Sequence, residues 1–257
     1  MNIKTVELKK LYKQGSKHSN YQILSNRLSQ IVGQDEIDVK TRYESERLKF
    51  ILENIEIKGK TILDIGGNTG YFTFELIDSG AEKLYYFEGN RAHSEFVQHA
   101  ADLLDVTNKI DVRNNYYKFE DEFENKKFDI ILLLNVLHHI GDDYGDKELT
   151  INMAKQNILK QLNSLADKTS TLVFQLGFNW KGNRDLGLFE GGSKAELIDF
   201  IREGVKNYWS IETIGIAESE NESIVYNNLN DNNIKRNDKL GEFLNRPMFV
   251  LKSLIIN

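Results

Sequence analysis

Residues 61–76 read TILDIGGNTGYFTFEL: an apolar run that reaches an acid, turns through three glycines and resumes at helical spacing. A strand that hands over to a helix through Gly66, Gly67 and Gly70 bares its backbone at the turn. A ligand can then lie against the main chain with no Cβ in the way, and the helix that follows turns unpaired N–H groups toward it. Glycines also serve tight strand–helix packing, so the turn alone does not decide between ligand and scaffold. Its spacing is not the G-x-G-x-x-G of dinucleotide sites, which disfavours hydride transfer from a nicotinamide cofactor. Asp64 stands before the turn, and Glu88 ends the next apolar run, KLYYFEGN.

Working outward, five short apolar runs (KTILDIG, KLYYFEGN, KIDVRNN, FDIILLLNV and STLVFQLG) alternate with amphipathic segments. Successive β–α units of this kind call for a parallel sheet covered by helices, and FDIILLLNV is apolar almost throughout, as a doubly covered strand should be. YWSIETIGIA and RPMFVLKSLII add two strands, with KAELIDFIREGV as a helix before the first. The fold class expected is therefore α/β: a Rossmann-like, seven-stranded, mostly parallel sheet with an antiparallel last strand. Residues 1–58 form an N-terminal helical segment or lid, since RYESERLKFILENI places Tyr43, Leu48, Ile51 and Ile55 near one helical face. Residues 59–257 form the main domain, with the polar, Asn-rich stretch 217–245 as a long surface loop.

Composition narrows the class. The chain of 257 residues has 40% hydrophobic and 28% charged residues, no cysteine and a formal charge of −6. Disulfides and thiolate metal sites are excluded. No apolar run is long enough to span a bilayer and the first residues hold no signal-peptide core, which suits a cytoplasmic protein. The negative charge argues against a nucleic-acid partner; the basic run VELKKLYKQGSKHSNYQ is either a local patch or the solvated face of a helix.

An acid at the tip of the second strand is placed to accept hydrogen bonds from both hydroxyls of a ribose. A ligand with a ribose, an α-amino group and no pyrophosphate is S-adenosylmethionine. The blocks LDIGGNTGYF, YYFEGN and FDIILLLNVLHHI, in this order and spacing, resemble the class I S-adenosylmethionine-dependent methyltransferase family over roughly residues 60–180. The resemblance implies that Asp64, Gly66, Gly67, Asn68 and Gly70 form the turn and line the methionine moiety, that Glu88 holds the ribose, and that Asn135 faces the methionine end. Asn115 or Tyr116, after the third strand, is the candidate for the adenine. Asn68 replaces a glycine common in the family, at a place where the turn needs a residue tolerant of left-handed backbone.

Methyl transfer to an alcohol oxygen needs a base. His138 and His139 follow Asn135 closely and are the candidates; the alternative is that one packs under the sheet while the other caps a helix. Asp142, Asp143 and Asp146 suit either a hard cation or turn chemistry, and no metal is assigned. In FQLGFNWKGNRDLGLFEGG, Asn179, Trp180, Lys181 and Arg184 mix a stacking surface with donors for an acceptor, or else pack down on the core. Lys17, His18, Tyr21, Gln22 and Arg42 are candidates for a lid, with Tyr21 and Arg42 placed at the substrate.

With no N/D-P-P-Y motif, a small-molecule or glycan hydroxyl is the acceptor expected. RYESERLKFILENIEIKGKTILDIG and RPMFVLKS are similar to segments of bacterial glycan-modifying methyltransferases, and also of transferases that modify the tRNA wobble uridine. A non-catalytic module on the same fold is the reading from another class.

Overall fold

The computed structural model describes residues 3–14, 21–33, 39, 41–120, 123 and 126–256. The chain divides into two compact units, Met1–Tyr117 and Lys118–Asn257. Among the described residues the strands are ordered β3-β2-β1 within the first unit and β4-β5-β8-β6-β7 within the second.

In the first unit, β1 (Thr61–Ile65), β2 (Lys83–Phe87) and β3 (Ile110–Arg113) are parallel, with Leu63 opposite Tyr85 and Leu84 opposite Ile110. Helix α4 (Tyr71–Asp78) follows the glycine turn and buries every residue from Tyr71 to Ile77. Helix α5 (Arg91–Leu103) begins at Asn90, whose side chain accepts the N–H groups of Ala92 and His93, the usual way of satisfying a helix start.

The N-terminal segment is helical as expected: α1 (Ile3–Tyr12), α2 (Asn26–Val32) and α3 (Glu44–Asn54). It is tied to the rest of its unit by specific contacts. The Tyr12 ring meets Phe96 edge-on at 5.6 Å. Arg27 pairs with Asp78 at 2.8 Å and donates to the Leu104 carbonyl. The Glu75 carboxylate accepts both the backbone N–H of Asn26 at 2.5 Å and its side-chain amide at 3.0 Å, so α4 supplies the cap that α2 lacks in its own sequence.

In the second unit, β4 (Phe128–Leu134) and β5 (Thr169–Gln175) run parallel, flanked in sequence by α6 (Ile151–Asn163) and α7 (Lys194–Val205). Strand β8 (Met248–Ser253) inserts antiparallel between β5 and β6 (Trp209–Glu220), as expected of the last strand. The eighth strand is new. Residues 217–245 are not a long loop: β6 continues to Glu220, turns over two residues and returns as β7 (Ser223–Asn228). The turn residues Asn221 and Glu222 have φ of 48° and 67°, the pair of left-handed conformations that two-residue hairpins require. Glutamate is a poor residue for this role, so the turn carried no Asn-Gly signal.

Beyond β7, asparagines supply the order. Asn233 is buried, accepts the N–H of Asn230 and donates to Glu218 and to the Asn228 carbonyl. The buried Lys194 ammonium donates to the Asn233 carbonyl. A short helix, α8 (Gly241–Leu244), then leads into β8. Among the described residues no helix is long and apolar enough to cross a membrane.

Replacing Glu75 by alanine leaves two donors of Asn26 without their acceptor, a loss on the order of 1–3 kcal/mol. The expected outcome is a lower Tm together with faster proteolytic cleavage between residues 12 and 33, read by mass spectrometry of the fragments.

Candidate active site

The turn between β1 and α4 is held by the neighbouring strand: the N–H groups of Gly66 and Gly67 both donate to the Phe87 carbonyl, at 2.8 and 3.2 Å. Gly66, Asn68 and Gly70 have φ of 75°, 52° and 80°, so Asn68 does occupy left-handed backbone, where a short polar side chain is tolerated. Gly67 is required by packing. A Cβ there would lie 2.5 Å from the Tyr86 ring and 2.8 Å from an Asp64 carboxylate oxygen, and the Tyr86 hydroxyl donates to the Asn68 carbonyl.

The start of α4 is already served. Gln22 is buried, and its side-chain oxygen accepts the Tyr71 N–H at 2.9 Å and the Thr69 hydroxyl at 3.2 Å. A residue expected in a lid is thus a fixed cap on the turn itself, anchored further by the Tyr12 hydroxyl, which donates to its carbonyl.

Two acids give this turn its charge. The Glu88 carboxylate follows β2 and accepts the Asn68 N–H at 2.9 Å and the Asn90 N–H at 2.8 Å. Asp64 is 4% exposed and accepts the Thr73 hydroxyl at 2.7 Å. Burial pushes its carboxyl up to about 7; the Thr73 bond opposes the shift and the Glu88 charge adds to it. With the Glu88 carboxylate beside it and its helix start capped from within, the turn disfavours a pyrophosphate and suits a ligand with cationic groups.

After β3, the Tyr116 ring lies over Gly89, where a Cβ would approach it to 2.3 Å. Tyr116 is 48% exposed, which leaves it surface for a stacked base. Asn115 is exposed and its side-chain amide donates to the Tyr116 carbonyl. Gly89 was not singled out from the sequence, although a glycine directly after the strand-end acid was the available signal.

In the second unit, Asn135 has φ 61° at the end of β4. Its amide donates to Gln175 and its carbonyl oxygen accepts from Arg246, each at 2.8 Å. Neither partner was assigned a role from the sequence, because 40 and 111 residues separate them from Asn135.

The two histidines differ. His138 is buried, and its Nδ1 accepts the Gly177 N–H at 3.3 Å. An amide can only donate, so Nδ1 is the acceptor of this bond. His138 is a packed ring that requires a glycine at 177, where a Cβ would meet it at 2.8 Å. His139 lies 4.2 Å from that ring, centroid to centroid. Its Nδ1 sits 3.3 Å from the Asp143 carboxylate, at ion-pair distance but without the alignment of a strong hydrogen bond. A carboxylate beside Nδ1 favours the proton there and leaves Nε2 as the acceptor.

His139, Asp142 and Asp143 bring ligand-type atoms within 4.8 Å of one another. Asp146 stands apart from this group and accepts the Glu148 N–H, ordinary turn chemistry.

Trp180, expected as a stacking surface, is buried. Its indole N–H donates to the Ile140 carbonyl at 2.7 Å and the Lys181 ammonium covers the ring at 4.4 Å. The ring is part of the core. Lys181 also donates to the Lys147 carbonyl, Asn179 bridges to Gly187, and Arg184 is exposed. In the first unit, Arg42 lies over the Tyr21 ring at 4.7 Å; Lys17 and His18 fall outside the described residues.

A sheet of this order with an acidic glycine turn at the end of its first strand defines the class I S-adenosylmethionine-dependent methyltransferases. The chain belongs to the methyltransferase domain family, whose model matches residues 37–215. It is similar to the tRNA U34 carboxymethyltransferases of Aliarcobacter butzleri (strain RM4018), 28% identical over 112 residues, and of Sulfurovum sp. (strain NBC37-1), 30% identical over 111 residues. These matches cover 43% and 42% of this chain but only 36% and 35% of the relatives. Among solved structures, the bifunctional kinase-methyltransferase WbdD shares the fold, with a TM-score of 0.58 at 17% identity, over 95% of this chain and 46% of that one.

A carboxyl raised from 3.8 to about 7 in the fold contributes stability that is complete below its unfolded value and lost as pH rises through the folded one. Asp64→Asn, which keeps an acceptor for Thr73, is expected to raise Tm more at pH 8 than at pH 5. The difference is on the order of a few kcal/mol, and paired thermal melts of variant and parent measure it.

Proposed function

We propose that this protein transfers a methyl group from S-adenosylmethionine to a hydroxyl of a sugar, glycan or glycan phosphate. The observation that carries the cofactor assignment is the pair of acids at a turn whose helix start is capped by Gln22. Glu88 holds the ribose and Asp64 balances the cationic methionine end; Tyr116 offers its ring to the adenine. S-Adenosylmethionine supplies a methyl group already activated on sulfur, so the chain's own task is alignment and proton removal.

An alcohol must lose its proton as it attacks. His139 takes that proton at Nε2, and the Asp143 carboxylate beside Nδ1 steadies the resulting imidazolium. This reading assigns His138 to the scaffold. Arg184, exposed after β5, is assigned to the acceptor. The net charge of −6 favours a small or glycan acceptor over a polyanion.

A second reading, modification of tRNA, is favoured by the names of the two curated relatives. Incubating the protein with methyl-labelled S-adenosylmethionine and, separately, bacterial glycan and total tRNA decides between them: label in glycan is expected, and label in tRNA alone selects the second. Label in neither, with cofactor bound, selects a binding module.

Glu88→Ala is expected to weaken S-adenosylhomocysteine about tenfold or more by isothermal titration, equivalent to about 1.4 kcal/mol; unchanged affinity removes the ribose role. His139→Ala is expected to keep that affinity and lower the rate of transfer about 100-fold. A cation arriving beside Asp64 favours its ionised form, so affinity for S-adenosylmethionine is expected to rise between pH 5.5 and pH 7.5 with proton release on binding. Titrations in buffers of different ionisation enthalpy show that release directly.

A further inference from the structure

Every main-chain N–H from Gly66 to Tyr71 meets an acceptor inside the first unit. Gly66 and Gly67 donate to the Phe87 carbonyl, Asn68 to the Glu88 carboxylate, Thr69 to the Asn68 side chain at 2.8 Å and Gly70 to the Gly67 carbonyl at 3.0 Å. Tyr71, the first residue of α4, donates to the Gln22 side chain at 2.9 Å. The turn itself, or Phe87 and Glu88 at the end of β2, supplies the other acceptors. Gln22 alone reaches in from the N-terminal segment.

Its place there is held from several sides. Gln22 is 8% exposed, and the buried Tyr12 donates its hydroxyl to the Gln22 carbonyl. A backbone N–H can only donate, so the side-chain atom facing Tyr71 is the amide oxygen, which also accepts the Thr69 hydroxyl. A few residues on, Asn26 donates to Glu75 and Arg27 pairs with Asp78. Residues 71, 75 and 78 share one face of α4, so the stretch 22–27 runs along that helix as a strap and ends on the glycine turn.

An open N–H at a helix start attracts phosphate, because the donor and the positive end of the helix dipole point the same way. Here a phosphate would have to displace a buried amide oxygen and leave that amide unserved. What this turn can offer a ligand is acceptors, which suit hydroxyl and ammonium groups.

We propose that Gln22 is a specificity-determining residue: its oxygen takes the place of a phosphate oxygen at α4, so the turn selects a nucleoside without phosphate over its 5′-phosphate. The inference rests on the nucleoside reading of this turn given above. Its test is isothermal titration of the full chain with S-adenosylhomocysteine, adenosine and adenosine 5′-monophosphate, comparing the parent with Gln22→Ala and Gln22→Glu and recording Tm for each. The parent is expected to favour adenosine over its phosphate. In Gln22→Ala that preference is expected to shrink about tenfold or more. Gln22→Glu keeps an acceptor and adds negative charge, so it is expected to keep the preference or widen it. A purely structural role moves Tm and both affinities together, which leaves their ratio alone. An unchanged ratio in Gln22→Ala, or a ratio in Gln22→Glu that shrinks as it does in alanine, overturns the proposal and leaves the cofactor assignment standing. So does a parent that binds S-adenosylhomocysteine without favouring adenosine over its phosphate. A parent that binds none of the three overturns both. If Gln22→Ala does not fold, Gln22→Asn takes its place: its shorter side chain draws the oxygen back from Tyr71, with the same expected loss of preference.

Discussion

One carboxylate organises the first unit. Glu88 receives the N–H of Asn68 from the glycine turn and the N–H of Asn90 from the start of α5, so two segments 22 residues apart in sequence are held to one charge. Neither segment has a regular strand or helix partner for those donors. An unserved buried N–H costs as much as a lost hydrogen bond, and the acid removes that cost twice. Burial raises the proton affinity of Asp64, and the Glu88 charge adds to it. The acid that shapes the turn therefore also contributes to its electrostatics.

The second unit handles charge differently. Its buried histidine accepts an amide N–H through Nδ1, while the neighbouring ring lies against a carboxylate. Two adjacent residues of one type take different environments because a 3₁₀ turn over Leu137–His139 points one ring inward toward Gly177 and leaves the other partly accessible.

Much of this was legible in the residues. The apolar runs located β1 to β6 and β8, and the glycine turn with its two acids stood out because their order along the chain mirrors the order of the elements. What the sequence concealed was of two kinds. Strand β7 was hidden by its turn: Asn221-Glu222 lacks the glycine that advertises left-handed backbone, and the three apolar residues Ile224, Val225 and Tyr226 sit within a polar, Asn-rich stretch. The contacts of Asn135 with Gln175 and Arg246 were hidden by distance, since nothing local couples β4 to a residue 111 positions away. The two histidines fell between these cases. Their place was plain, but which one faces a donor depends on Gly177, a residue whose role appears only in three dimensions.

The hairpin that extends the sheet also shapes how the molecule meets its own kind. A terminal strand is an open template for a second chain. Here it is six residues long, and Asn227 on it donates to Glu218 and Glu220 of β6. A short edge strand offers an incoming chain few backbone groups to pair with, so the hairpin limits edge-to-edge pairing.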